Sequence, residues 1–379
     1  MDDIALRSYA TVRQTEYLDA VEQHGSQRAA AAALGVAEST LRTSLKALRK
    51  KAEMRSAGED TLAGATSTST LYDADGNVAL QWVKKDLKKE NLQEEIRAFV
   101  EDLAQGIAGQ SPAVPLPPIS MDELLAVYPL GDPHFGMKAW GEETGDGDWD
   151  LEIAAQTHEA AIKHLVQITP PASHALLINL GDALHMNGSS NTTFAGTRVD
   201  ADTRYGKVLQ ETAMSFVRCI LVLLEKHQHV TVWSLAGNHD ADSALALQIA
   251  LKFYFNNNPR VTVDDGTSLY KYLRFGSVLI GSHHGHGAKA AELPMIMAAD
   301  RPKDWGDTAH RVWHCGHIHH KQVLKDYTGC TVETHRTLAR QDAWHAGQGY
   351  RAKKDMSVII YHRDFGEMQR SRFDVSMAV

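Results

Sequence analysis

The sequence predicts an α/β fold for most of the chain, with a small all-α unit at its N-terminus. Over residues 121–379, short apolar strands alternate with amphipathic helices. Five of these strands run directly into a turn that carries histidine, aspartate or asparagine. Before them, residues 1–58 show three short helical patterns separated by glycine turns. Strand–helix alternation predicts parallel strands, whose carboxyl ends lie along one edge of a sheet.

Length and composition are those of an ordinary globular protein. The 379 residues suffice for two or three domains, and a hydrophobic share of 43% allows a sizeable core. The sequence shows no signal-peptide pattern and no apolar run of membrane-spanning length, and its three cysteines cannot complete a disulfide framework. We therefore expect a cytoplasmic protein without a membrane partner. The net charge of −8 argues against a protein coated in nucleic acid but permits a local basic patch.

Residues 1–58 have the pattern of a helix-turn-helix DNA-binding domain. Helices are predicted over residues 14–24 and 27–34, Gly35 turns the chain, and a third helix begins at residue 38. Basic side chains cover the outer face of the third helix, which is the electrostatic footprint of phosphate contact. A three-helix packing module with a merely solvated charged face is the alternative. The candidate DNA-binding residues are Thr40, Arg42, Thr43, Lys46 and Arg49.

Residues 59–120 are expected to hold a hairpin, a helix and a proline-rich linker. Small polar residues predict a first linker over 57–69. Two β-prone runs within residues 70–83 flank a glycine-bearing loop, which indicates a hairpin. A charged amphipathic helix is predicted over 87–107, and four prolines within 109–118 indicate a stiff linker. The domain boundary is therefore placed at the end of that linker.

The domain of residues 121–379 carries its polar residues at predicted strand ends. Long amphipathic helices over 151–168 and 205–227 separate the first three of these strands. Strand ends are rigid and therefore suit metal ligands and catalytic groups. In chain order, the candidates are Asp132, His134, Asp182, His185, Asn238, His239, Asp240, His284, His317 and His319.

These side chains have the composition of a two-metal site. Mixed imidazole, carboxylate and amide ligands suit Mn, Fe, Zn or Ni better than Mg or Ca. The carboxylate of Asp182 can bridge two ions because it has two oxygens, and His317 and His319 can serve neighbouring ions. Two divalent ions about 3.5 to 4 Å apart clamp a phosphoryl group and activate a water molecule. We expect two divalent ions, manganese first, with iron, zinc or nickel as alternatives.

Taken together, the motifs resemble those of the calcineurin-like metallophosphoesterase superfamily. They are Asp132-x-His134, Gly181-Asp182, Gly237-Asn238-His239-Asp240, His284 and Gly316-His317-x-His319. The resemblance covers residues from about 124 to 330 and implies a four-layer α/β/β/α sandwich with two mixed sheets. It also implies that one ion is held by Asp132, His134 and His319 and the other by Asn238, His284 and His317, with Asp182 as the bridge.

The same resemblance implies catalytic roles for three residues. His239 would act as an acid–base group near the leaving oxygen, and Asp240 would orient it. The Gly-Asp-x-x-His pattern resembles DNA-repair exonucleases of the superfamily, in which the histidine matching His185 helps to protonate the leaving group. A structural role for His185 is the alternative. His283 and His284 both offer an imidazole, and His284 is favoured because the resembling pattern is usually His-Gly.

Basic residues in two further places are candidate phosphate contacts. Arg198 and Arg204 border a polar loop after His185 and either grip phosphate or are plain surface charges. A second group either lines a nucleic-acid path or belongs to a solvated loop. It consists of Arg336, Arg340, Arg351, Lys353 and Lys354. Two histidines in the same region, His335 and His345, have no readable role.

These observations predict a dinuclear phosphodiesterase, specifically a DNA nuclease brought to DNA by its N-terminal helices. A DNA-reading domain joined to a phosphoesterase resembles proteins of phages and prophages. One alternative is a phosphoesterase for small nucleotides, in which the N-terminal helices serve assembly of a homo-oligomer. Another is a DNA-binding regulatory or packaging protein with a vestigial metal site. A protein phosphatase is disfavoured, because the chain lacks the Asp-Arg-Gly that follows Gly-Asp in those enzymes.

Overall fold

The computed structural model describes residues 10–46, 48, 65–72, 78–85, 109–319 and 325–377. The chain forms two compact units, Met1–Glu90 and Asn91–Val379. In the ranges just given, no helix is both long enough and apolar enough to cross a membrane.

The N-terminal unit contains the predicted helices, α1 (Val12–His24), α2 (Gln27–Ala33) and α3 (residues 38–46). A capping box begins α1, in which Thr11 N donates to Gln14 Oε1 at 3.0 Å and Gln14 N donates to Thr11 Oγ1 at 3.3 Å. Gly35 adopts φ +64°, a left-handed conformation that glycine reaches without strain. The helices bury one shared cluster, which includes Tyr17, Ala30, Ala31, Leu41, Leu45 and Leu48.

A hairpin of β1 (Ala65–Tyr72) and β2 (Val78–Lys85) follows and is antiparallel, as predicted. The expected linker over 57–69 is wrong in its second half, because residues 65–69 already pair with β2. Backbone hydrogen bonding to a partner strand overrides the small polar composition that suggested a linker. The rest of that linker and the helix predicted over 87–107 lie outside the described residues.

The larger unit contains a six-stranded mixed sheet. Its order is β13-β12-β3-β4-β5-β6, in which β3 to β6 are parallel and β12 and β13 are antiparallel to their neighbours. The strands are β3 (Met121–Leu130), β4 (Ala172–Asn179), β5 (His229–Ser234), β6 (Val261–Val263), β12 (Asp355–His362) and β13 (Gly366–Asp374).

A second, five-stranded sheet has the order β10-β11-β9-β8-β7. Strands β8, β9 and β11 are parallel, and the two outer strands are antiparallel to them. The strands are β7 (Lys271–Phe275), β8 (Val278–His283), β9 (His310–Cys315), β10 (Lys325–Tyr327) and β11 (Cys330–Thr334).

Helices cover the outer faces of both sheets. The helices over residues 151–168, 205–226 and 241–254 lie on the six-stranded sheet and share one apolar cluster with its strands. On the five-stranded sheet, Leu293 and Met297 of the helix over residues 293–300 pack against Trp313. The helices of the unit are α4 (Gly141–Thr144), α5 (Leu151–Ile168), α6 (Tyr205–Lys226), α7 (Ala241–Tyr254), α8 (Leu293–Asp300), α9 (Pro302–Asp307) and α10 (Ala343–Gly347).

An apolar core fills the space between the two sheets. It joins Val127, Ile178 and Trp233 of the six-stranded sheet to Ile280 and Val312 of the five-stranded sheet. The two sheets therefore pack face to face, with α5 to α7 outside one and α8 and α9 outside the other. The predicted four-layer α/β/β/α sandwich is confirmed.

The proline-rich segment belongs to the larger unit and is hydrogen-bonded to the rest of it. The Arg260 guanidinium donates to the carbonyl of Val114 at 2.6 Å. Asn258 Nδ2 donates to Ser111 Oγ at 2.9 Å. The segment predicted as a linker thus lies against the sandwich over these residues.

Candidate metal centre

The backbone at the strand ends is unusual in the positions predicted to bind metal. Among the described residues, six non-glycine positions have positive φ, and five of these are predicted ligands. Such conformations cost roughly 1–3 kcal/mol each and concentrate at functional sites. The five are Asp132 (φ +40°), His134 (+49°), Asp182 (+49°), His317 (+72°) and His319 (+58°).

Hydrogen bonds join the loops of the two sheets at this edge. His317 N, after β9, donates to Asp132 Oδ2, after β3, at 2.8 Å. His284 Nδ1, after β8, donates to the carbonyl of Leu180, after β4, at 2.7 Å. The site therefore lies where the carboxyl ends of strands from both sheets meet. The sequence predicted that such strand ends would share one edge of a sheet.

Three glycines allow these loops to approach each other closely. A Cβ on Gly316 would lie 2.6 Å from Asp132 Oδ1. A Cβ on Gly237 would overlap the Asp182 carboxylate, and one on Gly181 would overlap the His284 ring. Each glycine is needed because a ligand from another loop occupies the space of its missing side chain.

The first predicted ligand set converges. His134 Nε2 and His319 Nε2 lie 3.1 Å apart, and His319 Nε2 lies 3.2 Å from Asp132 Oδ2. Ligands bound to one ion at about 2.0–2.2 Å are spaced by roughly this amount. Asp132 is buried, and its Oδ1 finds no hydrogen-bond donor among the described residues. An acceptor left in this state calls for a cation.

The second predicted set also converges. His284 Nε2 lies 3.1 Å from Asn238 Oδ1 and 3.3 Å from Asp182 Oδ2. Because Nδ1 donates its proton to a carbonyl, Nε2 of a neutral ring presents a lone pair to two oxygens that are acceptors themselves. Only a proton or a cation relieves that arrangement. His317 completes the set, with donor atoms of Asp182, His284 and His317 within 4.8 Å of one another.

The electrostatics of the site favour positive charge. Burial lowers the pKa of His284, but the carboxylates of Asp182 and Asp132 outweigh it and raise the pKa to about 9. Burial opposes the charge of Asp182 as well, and its neighbour His284 nevertheless holds the Asp182 pKa below its usual range. For His319, the Asp132 carboxylate raises the pKa against burial. The residues present thus fit divalent cations.

The predicted orientation of His239 by Asp240 is wrong. His239 Nδ1 instead donates to the carbonyl of His185 at 2.9 Å. The buried Asp240 carboxylate accepts from Leu184 N at 3.0 Å and from Gly237 N at 3.1 Å. Burial, followed by the charge of Asp182, raises the Asp240 pKa to about 7. Asp240 therefore connects two loops, because both of its carboxylate oxygens accept hydrogen bonds from backbone N–H groups and not from the His239 ring.

His185 lies behind the other histidines. Its side chain is buried, with 2% exposure, and its Nδ1 lies 3.2 Å from His134 Nδ1. The rings of His185 and His239 stack with centroids 5.2 Å apart. Burial, then the nearby His239, lowers the His185 pKa to about 3. This position suits a residue that supports His134 and His239 better than one that reaches substrate.

Of the two adjacent histidines after β8, only His284 faces the other ligands. His283 Nδ1 accepts from Gly285 N at 3.0 Å, and its ring stacks on Tyr270 with centroids 4.7 Å apart. Strand pairing explains this, since His283 is the last residue of β8 and still pairs with β9, whereas His284 is the first residue of the following loop. His320 lies outside the described residues.

One residue without a predicted role, His345, contacts this site. His345 stacks on His319, with ring centroids 5.0 Å apart and planes at 24°. Its Nδ1 donates to Asp342 Oδ1 at 2.7 Å. No motif marks the segment, and a histidine near an aspartate three residues earlier was the only signal. His335 belongs to a different, buried cluster, in which His314 Nδ1 and His335 Nε2 lie 2.9 Å apart.

The candidate basic residues separate into two kinds. Arg336 is paired with Asp355, and Arg340 and Lys354 lie 3.5 Å and 3.6 Å from Asp146. Internal ion pairs of this kind do not favour the predicted nucleic-acid path for these three. The others are exposed, namely Arg198, Arg204, Arg351 and Lys353. On α3, the exposed candidates are Thr40, Arg42, Thr43 and Lys46, whereas Arg49 lies outside the described residues.

Comparisons with known proteins add a fold likeness only. No protein-family model matches the chain, and no curated protein matches it. Among solved structures, a predicted phosphoesterase of Streptococcus pneumoniae is 12% identical, with a TM-score of 0.25, over 66% of this chain and 98% of its own. Vps29 of Entamoeba histolytica is 11% identical, with a TM-score of 0.26 and the same coverages. PhoD is 9% identical, with a TM-score of 0.29, over 68% and 73%. Because likeness at these values says nothing about activity, a function has to be argued from the His and Asp clusters that could hold metal.

Proposed function

We propose that this protein is a phosphodiesterase that uses two divalent metal ions and acts on DNA. One observation carries the proposal. Two sets of candidate ligand atoms, each drawn from both sheets, converge: Asp132, His134 and His319 in one, and Asp182, Asn238, His284 and His317 in the other. In the first set the buried Asp132 Oδ1 has no hydrogen-bond donor among the described residues, and in the second the Nε2 of a neutral His284 ring faces two oxygens.

The residues of this chain divide into binding and proton-handling groups. One ion would be held by Asp132, His134, Asp182 and His319 and the other by Asp182, Asn238, His284 and His317. When bound, paired divalent ions neutralise phosphate charge and lower the pKa of water, so that hydroxide is present at neutral pH. Mixed nitrogen and oxygen ligands suit manganese, iron, zinc or nickel, and manganese is the ion that we propose first.

In this proposal, His239 delivers the proton that the leaving oxygen requires. It is partly exposed, whereas His185 and Asp240 are buried. Its Nδ1 donates to the carbonyl of His185, so Nε2 is the nitrogen that can transfer a proton. The ring is held by that bond and by stacking on His185, which makes His185 a positioning residue.

A substrate panel with measured metal content tests the proposal. The full-length protein is stripped with a chelator, reloaded with Mn, Fe, Zn or Ni, and assayed on duplex DNA, single-stranded DNA and bis-p-nitrophenyl phosphate. We expect manganese-dependent release of nucleotides and hydrolysis of the small diester. Hydrolysis of the small diester alone would indicate a small-molecule phosphoesterase. Full metal occupancy without any hydrolysis would leave a DNA-binding protein with a vestigial centre.

The N-terminal unit is proposed to bind duplex DNA through α3. Its apolar side is buried against α1 and α2, while Arg42 and Lys46 are exposed on the other side. Changing both to glutamate should weaken duplex binding and reduce the slope of log Kd against log salt by about two, one for each lost phosphate contact. Hydrolysis of bis-p-nitrophenyl phosphate should not change. Arg28→Glu on α2 is the matched control, and an equal effect there would contradict recognition by α3.

A further inference from the structure

Three aromatic rings form an exposed surface beside the metal centre. We call Trp344, His345 and Tyr350 the aromatic platform. The side chains of Trp344 and Tyr350 are 62% and 52% exposed. Ring centroids lie 4.9 Å apart for Trp344 and His345 and 6.3 Å apart for Trp344 and Tyr350. The rings contact one another but cover little of each other, so flat apolar surface faces solvent.

The platform is attached to a predicted metal ligand. The His345 ring stacks on His319, whose Nε2 lies 3.1 Å from His134 Nε2. Asp342 caps α10 and fixes His345 twice, accepting from its backbone N at 2.8 Å and from its Nδ1 at 2.7 Å. The platform therefore has a defined position one ring away from the metal centre.

Basic groups flank the platform. Arg351 follows Tyr350 directly and is exposed, with its guanidinium donating to the Tyr350 carbonyl at 2.6 Å. Lys353 is exposed two residues further on. Exposed aromatic rings interleaved with cations are the combination that binds single-stranded nucleic acid, since bases stack on the rings and phosphates meet the charges.

We propose that the aromatic platform stacks the unpaired nucleobase next to the phosphate that is cleaved, which makes single-stranded nucleic acid the preferred substrate. The inference rests on the proposed phosphodiesterase function and deepens it. A base in a duplex already stacks on its neighbours, so both its faces are occupied. An unpaired base presents a free face to Trp344, and every base offers such a face whatever its identity.

The test compares two single-stranded oligonucleotides, one with all its bases and one with abasic sites around the cleaved phosphate. For the first, Trp344→Ala should raise KM about tenfold, the size of one lost base–aromatic stack, with kcat within twofold. For the abasic oligonucleotide the variant should behave as the wild type does. Trp344→Phe should restore most of the difference. Phe365→Ala is the control, because Phe365 is 65% exposed and lies in the β12–β13 turn, at the other end of the sheet.

Equal increases in KM on both oligonucleotides, or no increase on either, would overturn base stacking. So would a change in oligomeric mass without a change in KM, which would make the platform a contact between copies. Should the protein hydrolyse no diester at all, the proposed function fails, yet the platform is still tested by binding. The fluorescence of a 2-aminopurine base in the oligonucleotide should then be quenched when the wild type binds, and quenched less when the Trp344→Ala variant binds. Absence of quenching in the wild type would refute the platform.

Discussion

Replacement of Asp182 by asparagine is expected to reduce phosphodiester turnover about a thousand-fold or more. Asp182 Oδ2 faces His284 Nε2 at 3.3 Å, and Oδ1 accepts from His239 N at 2.7 Å. Asparagine keeps the shape but removes the negative charge and one of the two acceptor oxygens through which Asp182 would bridge the two proposed ions. Loss of paired-ion stabilisation is worth several kcal/mol, and each 1.36 kcal/mol is about tenfold in rate.

The measurement is kcat on DNA and on a small diester, together with metal content per chain. We expect the Asp182→Asn protein to hold at most one ion. Asp304→Asn, which removes a carboxylate paired with Arg301 on α9, is the control and should keep both activity and metal. Two bound ions and near-normal turnover in Asp182→Asn would show that this carboxylate is not shared.

Replacement of His239 by alanine should reduce DNA hydrolysis about a hundred- to ten-thousand-fold while the metal content stays unchanged. In the proposal His239 is not one of the seven ligands and donates a proton through Nε2, since its Nδ1 is bonded to the His185 carbonyl. The loss should be smaller on bis-p-nitrophenyl phosphate, because p-nitrophenolate departs without needing a proton. The same loss on both substrates would argue against proton delivery by His239.

A suitable control for this variant lies on β5, the strand that precedes the turn carrying His239. His229 is exposed at the first residue of β5, at the end opposite to the turn that carries His239. His229→Ala should leave kcat on both substrates unchanged. Comparison of the two variants separates loss of the His239 imidazole from any general effect of replacing a histidine in this part of the chain.

The sequence could predict which side chains converge because each strand and its candidate ligands are adjacent in the chain. Each of β3, β4, β5, β8 and β9 leads directly into its ligands, and parallel pairing brings the strand ends together. An apolar run followed by a polar turn is local information. Within one sheet, no long-range contact has to be known before the convergence of Asp132 and Asp182 can be anticipated. The meeting of His317 with Asp132 depends in addition on the packing of the two sheets.

The features that were missed depend on contacts between distant segments. Asp240 bonds Leu184 N, which lies in a different loop, and nothing near Asp240 in the sequence announces that partner. His345 reaches His319 only because the chain after β11 returns to the same edge. The linker prediction over residues 65–69 failed for a related reason, since composition does not reveal a strand partner. Which side chain a buried carboxylate meets is a tertiary property.

Because the proposed ligands are divided between the two sheets, the apolar interior affects the geometry of the site. Four of the seven proposed ligands follow strands of the six-stranded sheet, and three follow strands of the five-stranded sheet. The separation of those layers is set by residues such as Trp233 and Ile280, which carry no reactive group. Coordination bonds tolerate errors of only about 0.2 Å. The thickness of this hydrocarbon layer therefore controls the distances between ligands from different sheets as directly as any polar side chain does.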